Sequence, residues 1–455
     1  MTKLLHASCF RNCSVLWLLI WGLPLYTFSQ SSPPPKDWYQ KGLRVELDTT
    51  GKRFVKFGMM VQGWTRYYEN NPGTGDGIGE EQAAQWDFGM RRMRFTATAQ
   101  LYPRWVFYFQ AGVNNQSFLG QNPPWFFHDA WGKYLLARQP EFRMSLGAGL
   151  HFWNGISRMS SSSVLRLLTV DFPSFNFINL GRSDQAGRQF GWFTQGNVSR
   201  LTYQLSVNKP FQFGDLDNVL PGGRAQDIPT DSWSTAGYLA WQFGEEEHLL
   251  TPFATTNYLG TKRMINLGLG WYYQPNASGT IAEAGGELEE ADHFVWALDL
   301  MVDVPIGEDG MAASFYAMNY FVDYGPNYYR SSGTMNVGQP AVGFMGEMAV
   351  QGIGNAEDFS GTGNIFYAQG GWLSPRSWLG KAGQIQPFGA IHWKSLDYLD
   401  DASIRWDVGA NWLIDGHHLK ISGQYSSRAL FLEENGRRNF WQRRGTFILQ
   451  TMFSL

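Results

Sequence analysis

The sequence contains little cysteine, little charge and no long hydrophobic run. Its 455 residues include two cysteines and 16% charged residues, and the formal net charge is −3 at pH 7. Cys9 and Cys13 both lie near the start of the chain, so the rest can form no disulfide, thiolate nucleophile or thiolate metal site. The near-neutral balance also gives no basic footprint for nucleic acid.

Beyond residue 30 no run of about 18 apolar residues occurs, as a membrane-spanning helix would require. The chain is nevertheless 44% hydrophobic and 16% aromatic and contains 52 glycines, with polar residues interspersed through most apolar stretches. This composition favours many β-strands over helices.

Residues 1–29 are predicted to be a signal peptide, cleaved near Ser29. Lys3 and Arg11 precede an apolar run from Val15 to Leu25, the order expected of an export signal. A lone transmembrane anchor is the alternative, but the run is shorter than the roughly 20 residues of a span.

The remaining chain is predicted to contain a lead-in and one domain. Residues 30–50, which include Pro33 to Pro35, read as a short periplasmic lead-in or as a plain disordered linker. Residues 51–455 are predicted to form a single β-domain.

Two-residue alternation is the strongest pattern in this domain. Between Arg91 and Leu101, and again between Phe294 and Val304, apolar side chains occupy every second position and more polar ones the positions between. A membrane barrel requires this pattern over about ten residues per strand, because one face meets lipid and the other meets water. A soluble β-sandwich also alternates, but its strands average about 5–6 residues.

The pattern predicts an all-β, antiparallel transmembrane β-barrel of about sixteen strands in the bacterial outer membrane. Apolar and polar residues alternate to the end of the last predicted strand, 440–455, as expected of a closing strand. Long polar joins should form extracellular loops and tight joins periplasmic turns. The join at 244–262 is long for a periplasmic turn.

Several segments resemble the phosphate-selective porin O and P family. They are RRMRFTATAQLYPRWVFYFQAG from Arg91, DAWGKYLL from Asp129, SSSSVLRLLTVDFP from Ser160, and RQFGWF through YQLSVNKPF from Arg188 to Phe211. The resemblance implies a sixteen-stranded porin, a homotrimer, an anion-attracting lumen, and a constriction loop at 152–186. Where relatives carry a Lys- and Pro-bearing phrase, this chain has GAGLHFWNGISR from Gly147, so phosphate selectivity does not follow.

Basic side chains on barrel strands should point inward, because Arg or Lys facing lipid costs about 2–4 kcal/mol at the midplane. Those on polar strand faces or near the candidate constriction loop are predicted to line the pore and attract anions. The predicted pore-lining residues are Arg92, Arg94, Lys133, Arg143, Arg158, Arg166, Arg182 and Arg188. The alternative is that they pair with Asp87, Asp129, Asp299 and Asp303 and stiffen the wall.

The predicted function is passive diffusion of small hydrophilic solutes or anions through an outer-membrane porin that is not an enzyme and holds no cofactor or metal. One alternative is a plugged barrel that serves binding or secretion. The other is an outer-membrane lipase using Ser157 with His151, for which no orienting group or oxyanion hole is apparent. The adjacent His417 and His418 indicate a solvated turn more than a metal site.

Overall fold

The computed structural model describes residues 43–76, 79–120, 123–152, 155–177, 180–183, 187–219, 221–247, 251 and 253–455. The predicted signal peptide and most of the lead-in lie outside these residues. In the described part of the chain, no helix is long and apolar enough to cross a bilayer.

The protein is a closed antiparallel β-barrel of sixteen strands, as predicted. The strands are β1 Phe54–Glu69, β2 Ala84–Tyr102, β3 Trp105–Ser117, β4 Phe126–Arg138, β5 Phe142–His151, β6 Gln189–Val198, β7 Leu201–Lys209, β8 Ser234–Gln242, β9 Met264–Thr280, β10 Glu289–Pro305, β11 Ala312–Asp323, β12 Gly363–Leu373, β13 Gln384–Leu396, β14 Ser403–Asp415, β15 Leu419–Glu434 and β16 Arg437–Ser454.

Each strand pairs with its neighbours in sequence, and β16 closes the barrel by pairing with β1, from Met60 opposite Ser454 to Tyr68 opposite Thr446. Closure leaves no free sheet edge, which the interior of a bilayer requires. A short strand, Leu43–Glu46, folds back on the start of β1.

The alternation sorts side chains between the two faces of the wall as predicted. On β10, Phe294 and Leu298 are 42% and 44% exposed, whereas Val295 and Ala297 are 0% and 1% exposed. On β16, Phe447, Leu449 and Phe453 also lie on the exposed face. The outer face is therefore apolar and suited to lipid.

One end of the barrel carries mostly short turns and the other mostly long loops. At the short-turn end, residues 103–104, 139–141 and 199–200 join strand pairs, but residues 243–263 form a long connection between β8 and β9. At the long-loop end, β15 and β16 are joined by Asn435 and Gly436 alone, both with positive φ (52° and 76°), as a tight hairpin needs.

Three long connections matter for the lumen. We call residues 152–188, between β5 and β6, the inward loop, and residues 243–263 the inner segment. Residues 324–362, between β11 and β12, form the outer lid. The lid pairs with the β1–β2 connection through Gln339–Pro340 against Thr74–Gly75 and through an Asn71–Gly354 bridge.

Candidate pore lining

The inward loop crosses the lumen from β5 to the opposite wall. The Lys420 ammonium donates to the Leu167 carbonyl at 3.0 Å, the Asn411 amide to the Leu168 carbonyl at 2.8 Å, and the Gln62 amide to the Val170 carbonyl at 3.0 Å. These three partners lie on β15, β14 and β1. The described part of the loop therefore lies inside the barrel wall.

The loop also fills part of the lumen with apolar side chains. Phe175, Met159 and Leu167 are buried in one cluster with inward residues of β10 to β12, including Val295 and Tyr320. The inward face of β10 was expected to meet water. In this sector it meets the loop instead.

A β-bulge on β2 brings two consecutive arginines into the lumen. Gln62 of β1 pairs with Arg92, but the next residue, Gly63, pairs with Met90, so Arg91 is the extra residue. Strict alternation would turn Arg91 toward lipid. A bulge changes the direction in which one side chain points, and the Arg91 guanidinium therefore lies in the lumen, 2.7 Å from the Asp171 carboxylate. Sequence reasoning therefore missed Arg91.

Asp171 of the inward loop links that loop to β2. Its two carboxylate oxygens pair with Arg91 at 2.7 Å and with Arg92 at 2.8 Å. Burial alone would raise the pKa of the Asp171 carboxyl, but the two guanidiniums outweigh burial and hold this pKa below its ordinary value. The carboxylate is therefore ionised and fixes the loop against the wall.

The inner segment enters the barrel and meets the inward loop. The Ala254 amide donates to the Ser161 carbonyl at 2.8 Å, and the Ser163 amide donates to the Ala254 carbonyl at 2.9 Å. The Arg158 guanidinium pairs with the Glu247 carboxylate at 2.6 Å. Burial lowers the pKa of Arg158, but Glu247, Tyr258 and Tyr238 together outweigh burial and raise this pKa above its ordinary value. The unusual length of this inner connection thus reflects a second element inside the lumen.

This contact separates two cavities. Ser161 and Ala254 line one of about 380 Å³, whereas Ser162, Ser163 and Thr255 line another of about 650 Å³. Lys133, Arg143 and Arg158 line the smaller cavity, and Arg92, Arg94, Arg166 and Arg188 line the larger, which we call the arginine cavity. Seven of the eight predicted residues therefore border a lumen cavity.

Arg182 is the exception. Its guanidinium is buried, donates to the Ile228 carbonyl at 2.7 Å and lies 3.6 Å from the Asp227 carboxylate, and it lines neither cavity. Arg182 ties the inward loop to the connection between β7 and β8. Arg182 was predicted to line the pore because it is close in sequence to the candidate constriction loop, and that position did not indicate its structural role.

The arginine cavity has more basic than acidic side chains. Its basic lining residues are Lys56, Arg91, Arg92, Arg94, Arg166, Arg188 and Lys262. Among the described residues, Glu247 is the one acidic side chain that lines this cavity. Asp129 and Asp171 do not line it, but Asp129 pairs with Arg188, and Asp171 pairs with Arg91 and Arg92. Within the described ranges, Arg94, Arg166, Lys56 and Lys262 form no ion pair.

The predicted wall-stiffening pairs form only in part. Asp129 pairs with Arg188 at 2.8 Å, but Asp87 pairs with Arg66. Asp299 accepts from the Arg158 backbone amide at 2.6 Å and from two tyrosines, and Asp303 accepts from Ser314 at 2.7 Å. Two of the candidate arginines, Arg92 and Arg158, pair instead with acids on loops, Asp171 and Glu247.

The remaining sequence candidates have structural partners. The Ser157 hydroxyl lies 2.7 Å from the Tyr320 hydroxyl and accepts a hydrogen bond from the Ser160 amide at 3.2 Å. His417 contacts the Asn257 carbonyl at 2.8 Å, and burial lowers its pKa to about 3. Among the described residues, no cluster of three His, Cys, Asp or Glu could hold a metal.

No family model and no curated protein matches this sequence. Among solved structures, OprB of Pseudomonas putida matches with a TM-score of 0.50 at 11% identity, over 89% of this chain and 95% of that one. The chain has the fold of the outer-membrane porins. At such low identity the likeness concerns the fold alone.

Two other structures match less closely. The anion-selective porin from Comamonas acidovorans has a TM-score of 0.48 at 11% identity, over 88% of this chain and 99% of that one. The outer membrane channel DcaP of Acinetobacter baumannii has a TM-score of 0.46 at 12% identity, over 88% and 97%.

Proposed function

We propose that this protein is a porin of the bacterial outer membrane that lets small anions diffuse through a narrow lumen. In this proposal residues 1–29 are removed as a signal peptide, the short turns face the periplasm and the long loops face outside. The apolar outer face and the closed hydrogen-bonded wall support a location in the bilayer.

The excess of basic side chains around the arginine cavity is the observation on which the anion preference depends. Arg94 and Arg166 form no salt bridge in the described part of the chain, and guanidinium groups pair well with oxyanions. In a narrow lumen such charges attract anions and repel cations.

Reversal potentials test this preference directly. Purified, refolded protein in a planar bilayer should conduct under a KCl gradient, and the potential at zero current should have the sign of chloride permeation. Replacing chloride by phosphate in the same bilayer measures whether phosphate is favoured. A zero-current potential with the sign expected for potassium permeation would refute the anion preference.

A plugged barrel is the second candidate, and the filled lumen favours it. The inward loop, the inner segment and the outer lid all pack inside or across the barrel, and the gap bordered by Trp64, Asp171 and Arg405 is only about 60 Å³. Protein that inserts fully into bilayers but passes no ions would support a binding or secretion role instead.

A homotrimer is part of the main proposal, because the family resemblance implies it. A shallow furrow lined by Ala97, Ala99, Ala130 and Gly132 lies on the outer face between β2 and β5, where a neighbouring barrel could approach closely. Native mass measurement of the detergent-solubilised protein should give three chains per particle, and a single chain would refute the trimer.

A further inference from the structure

Aromatic rings form a continuous row along the arginine cavity. Ring centroids are 5.6 Å apart between Tyr108 and Phe253, 6.5 Å between Phe253 and Phe152, 5.8 Å between Phe152 and Phe177, and 5.5 Å between Phe177 and Phe172. All five residues line the cavity. A pore built only for hydrated inorganic ions has no need of such a row.

The rings and the basic groups adjoin each other. The Arg188 guanidinium lies 4.4 Å from the Phe152 ring centroid, and that of Arg92 lies 5.7 Å from the Phe172 ring centroid. Arg166 is exposed, and among the described residues its guanidinium donates one hydrogen bond, to the Thr255 hydroxyl at 2.7 Å. The cavity thus contains an apolar aromatic wall and a guanidinium, that of Arg166, which forms no ion pair with any residue that the structure describes.

We propose that the arginine cavity binds planar aromatic carboxylates. The ring of the solute packs against Phe177 and Phe253, and its carboxylate pairs with Arg166. The inference rests on the proposed function, since it names the solute class of the same lumen.

Size and chemistry favour this class over phosphate. A volume of about 650 Å³ falls within the roughly 300–1,000 Å³ of small-molecule sites. Inorganic phosphate would use the arginines but leave the aromatic row without a partner. A neutral aromatic molecule would use the row but leave Arg166 without an anion.

Ligand-observed saturation-transfer NMR on the detergent-solubilised full chain tests the proposal without requiring a current. Benzoate is the observed probe, and acetate, inorganic phosphate and benzyl alcohol are competitors. Benzoate should bind at least about tenfold more tightly than each competitor, since aromatic contacts and the charge pair both contribute. Displacement of benzoate by phosphate or benzyl alcohol at equal concentration would overturn the proposal.

Two variants with matched controls locate the site. Phe177→Leu and Arg166→Gln should each weaken benzoate binding by about tenfold. Phe118→Leu, in the β3–β4 loop, and Arg104→Gln, in the β2–β3 turn, should leave it unchanged. Circular dichroism checks that each variant is folded. If the site variants bind benzoate as the controls do, the cavity assignment is wrong.

The outcome is separable from that of the porin proposal. A protein that conducts KCl but binds benzoate no better than acetate keeps the porin function and loses this inference. A protein that binds benzoate selectively but never conducts keeps the site and loses the porin function.

Discussion

Asp171→Asn should release the inward loop from β2 without unfolding the barrel. The substitution keeps the volume of the side chain but removes the charge that pairs with Arg91 at 2.7 Å and Arg92 at 2.8 Å. The side chains of Asp171, Arg91 and Arg92 are only 13%, 11% and 5% exposed, so both pairs are largely shielded from water. Removing one partner of a buried pair costs about 3–5 kcal/mol.

We expect a value near the lower end, about 3 kcal/mol, because the asparagine oxygen can still accept a hydrogen bond. The loop retains its hydrogen bonds to Gln62, Asn411 and Lys420, so the cost should appear as local opening. By the tenfold per 1.4 kcal/mol rule, amide hydrogen exchange in residues 165–175 should accelerate about a hundredfold.

Hydrogen exchange followed by mass spectrometry measures this acceleration. Asp397→Asn, on an exposed acid outside the lumen, is the control and should leave exchange in residues 165–175 unchanged. The reversal potential of Asp171→Asn should also shift further toward chloride, because two guanidiniums lose their counter-charge. Exchange equal to that of the control would refute the anchoring role of Asp171.

Other predictions address charge, packing and pH. The double variant Arg94→Gln, Arg166→Gln should weaken chloride selectivity in bilayers, because neither guanidinium forms a salt bridge in the described structure; unchanged selectivity would contradict this. Glu247→Ala should raise single-channel conductance, since it breaks the 2.6 Å pair with Arg158 that holds the inner segment. Leu298→Arg should destabilise the barrel by about 2–4 kcal/mol in urea titrations with lipid vesicles, and Glu308→Arg in a turn should not. The pKa of Asp171 is lower in the folded protein than its value of about 3.9 in the unfolded chain. The two ion pairs of Asp171 therefore stabilise the loop fully above about pH 3.9 and are lost only as the pH falls through the lower, folded-state pKa. Amide exchange in the inward loop should therefore stay slow at about pH 5.

The barrel was predictable from the sequence because its wall follows a two-residue period. A register shift of one residue would turn the lipid-facing apolar side chains inward and polar ones toward lipid, which costs free energy. The two-residue period of β10 and β16 therefore determines both that these segments are strands and which face of each strand points outward. The order of long and short joins then gave the two ends of the barrel. The 243–263 join and the two-residue β15–β16 hairpin depart from this order.

The interior was less predictable because loops and bulges obey no period. Arg91 faces inward only because a bulge interrupts alternation on β2. The acids that neutralise the arginines, Asp171 and Glu247, are distant in sequence from their partners and lie on connections whose path the alternation does not specify. The sequence therefore predicted that the arginines lie in the lumen, but it could not predict which of them form ion pairs.

Site-directed thiol labelling tests most directly whether the wall divides lipid from lumen. The chain beyond the predicted signal peptide has no cysteine, so a single introduced thiol is unique. Thr98 lines the arginine cavity, and its neighbour Ala99 lies on the outer face. In membrane-inserted protein, an anionic water-soluble thiol reagent should modify Thr98→Cys and reduce the current, and should leave Ala99→Cys unmodified. Equal labelling of the two positions would contradict the account.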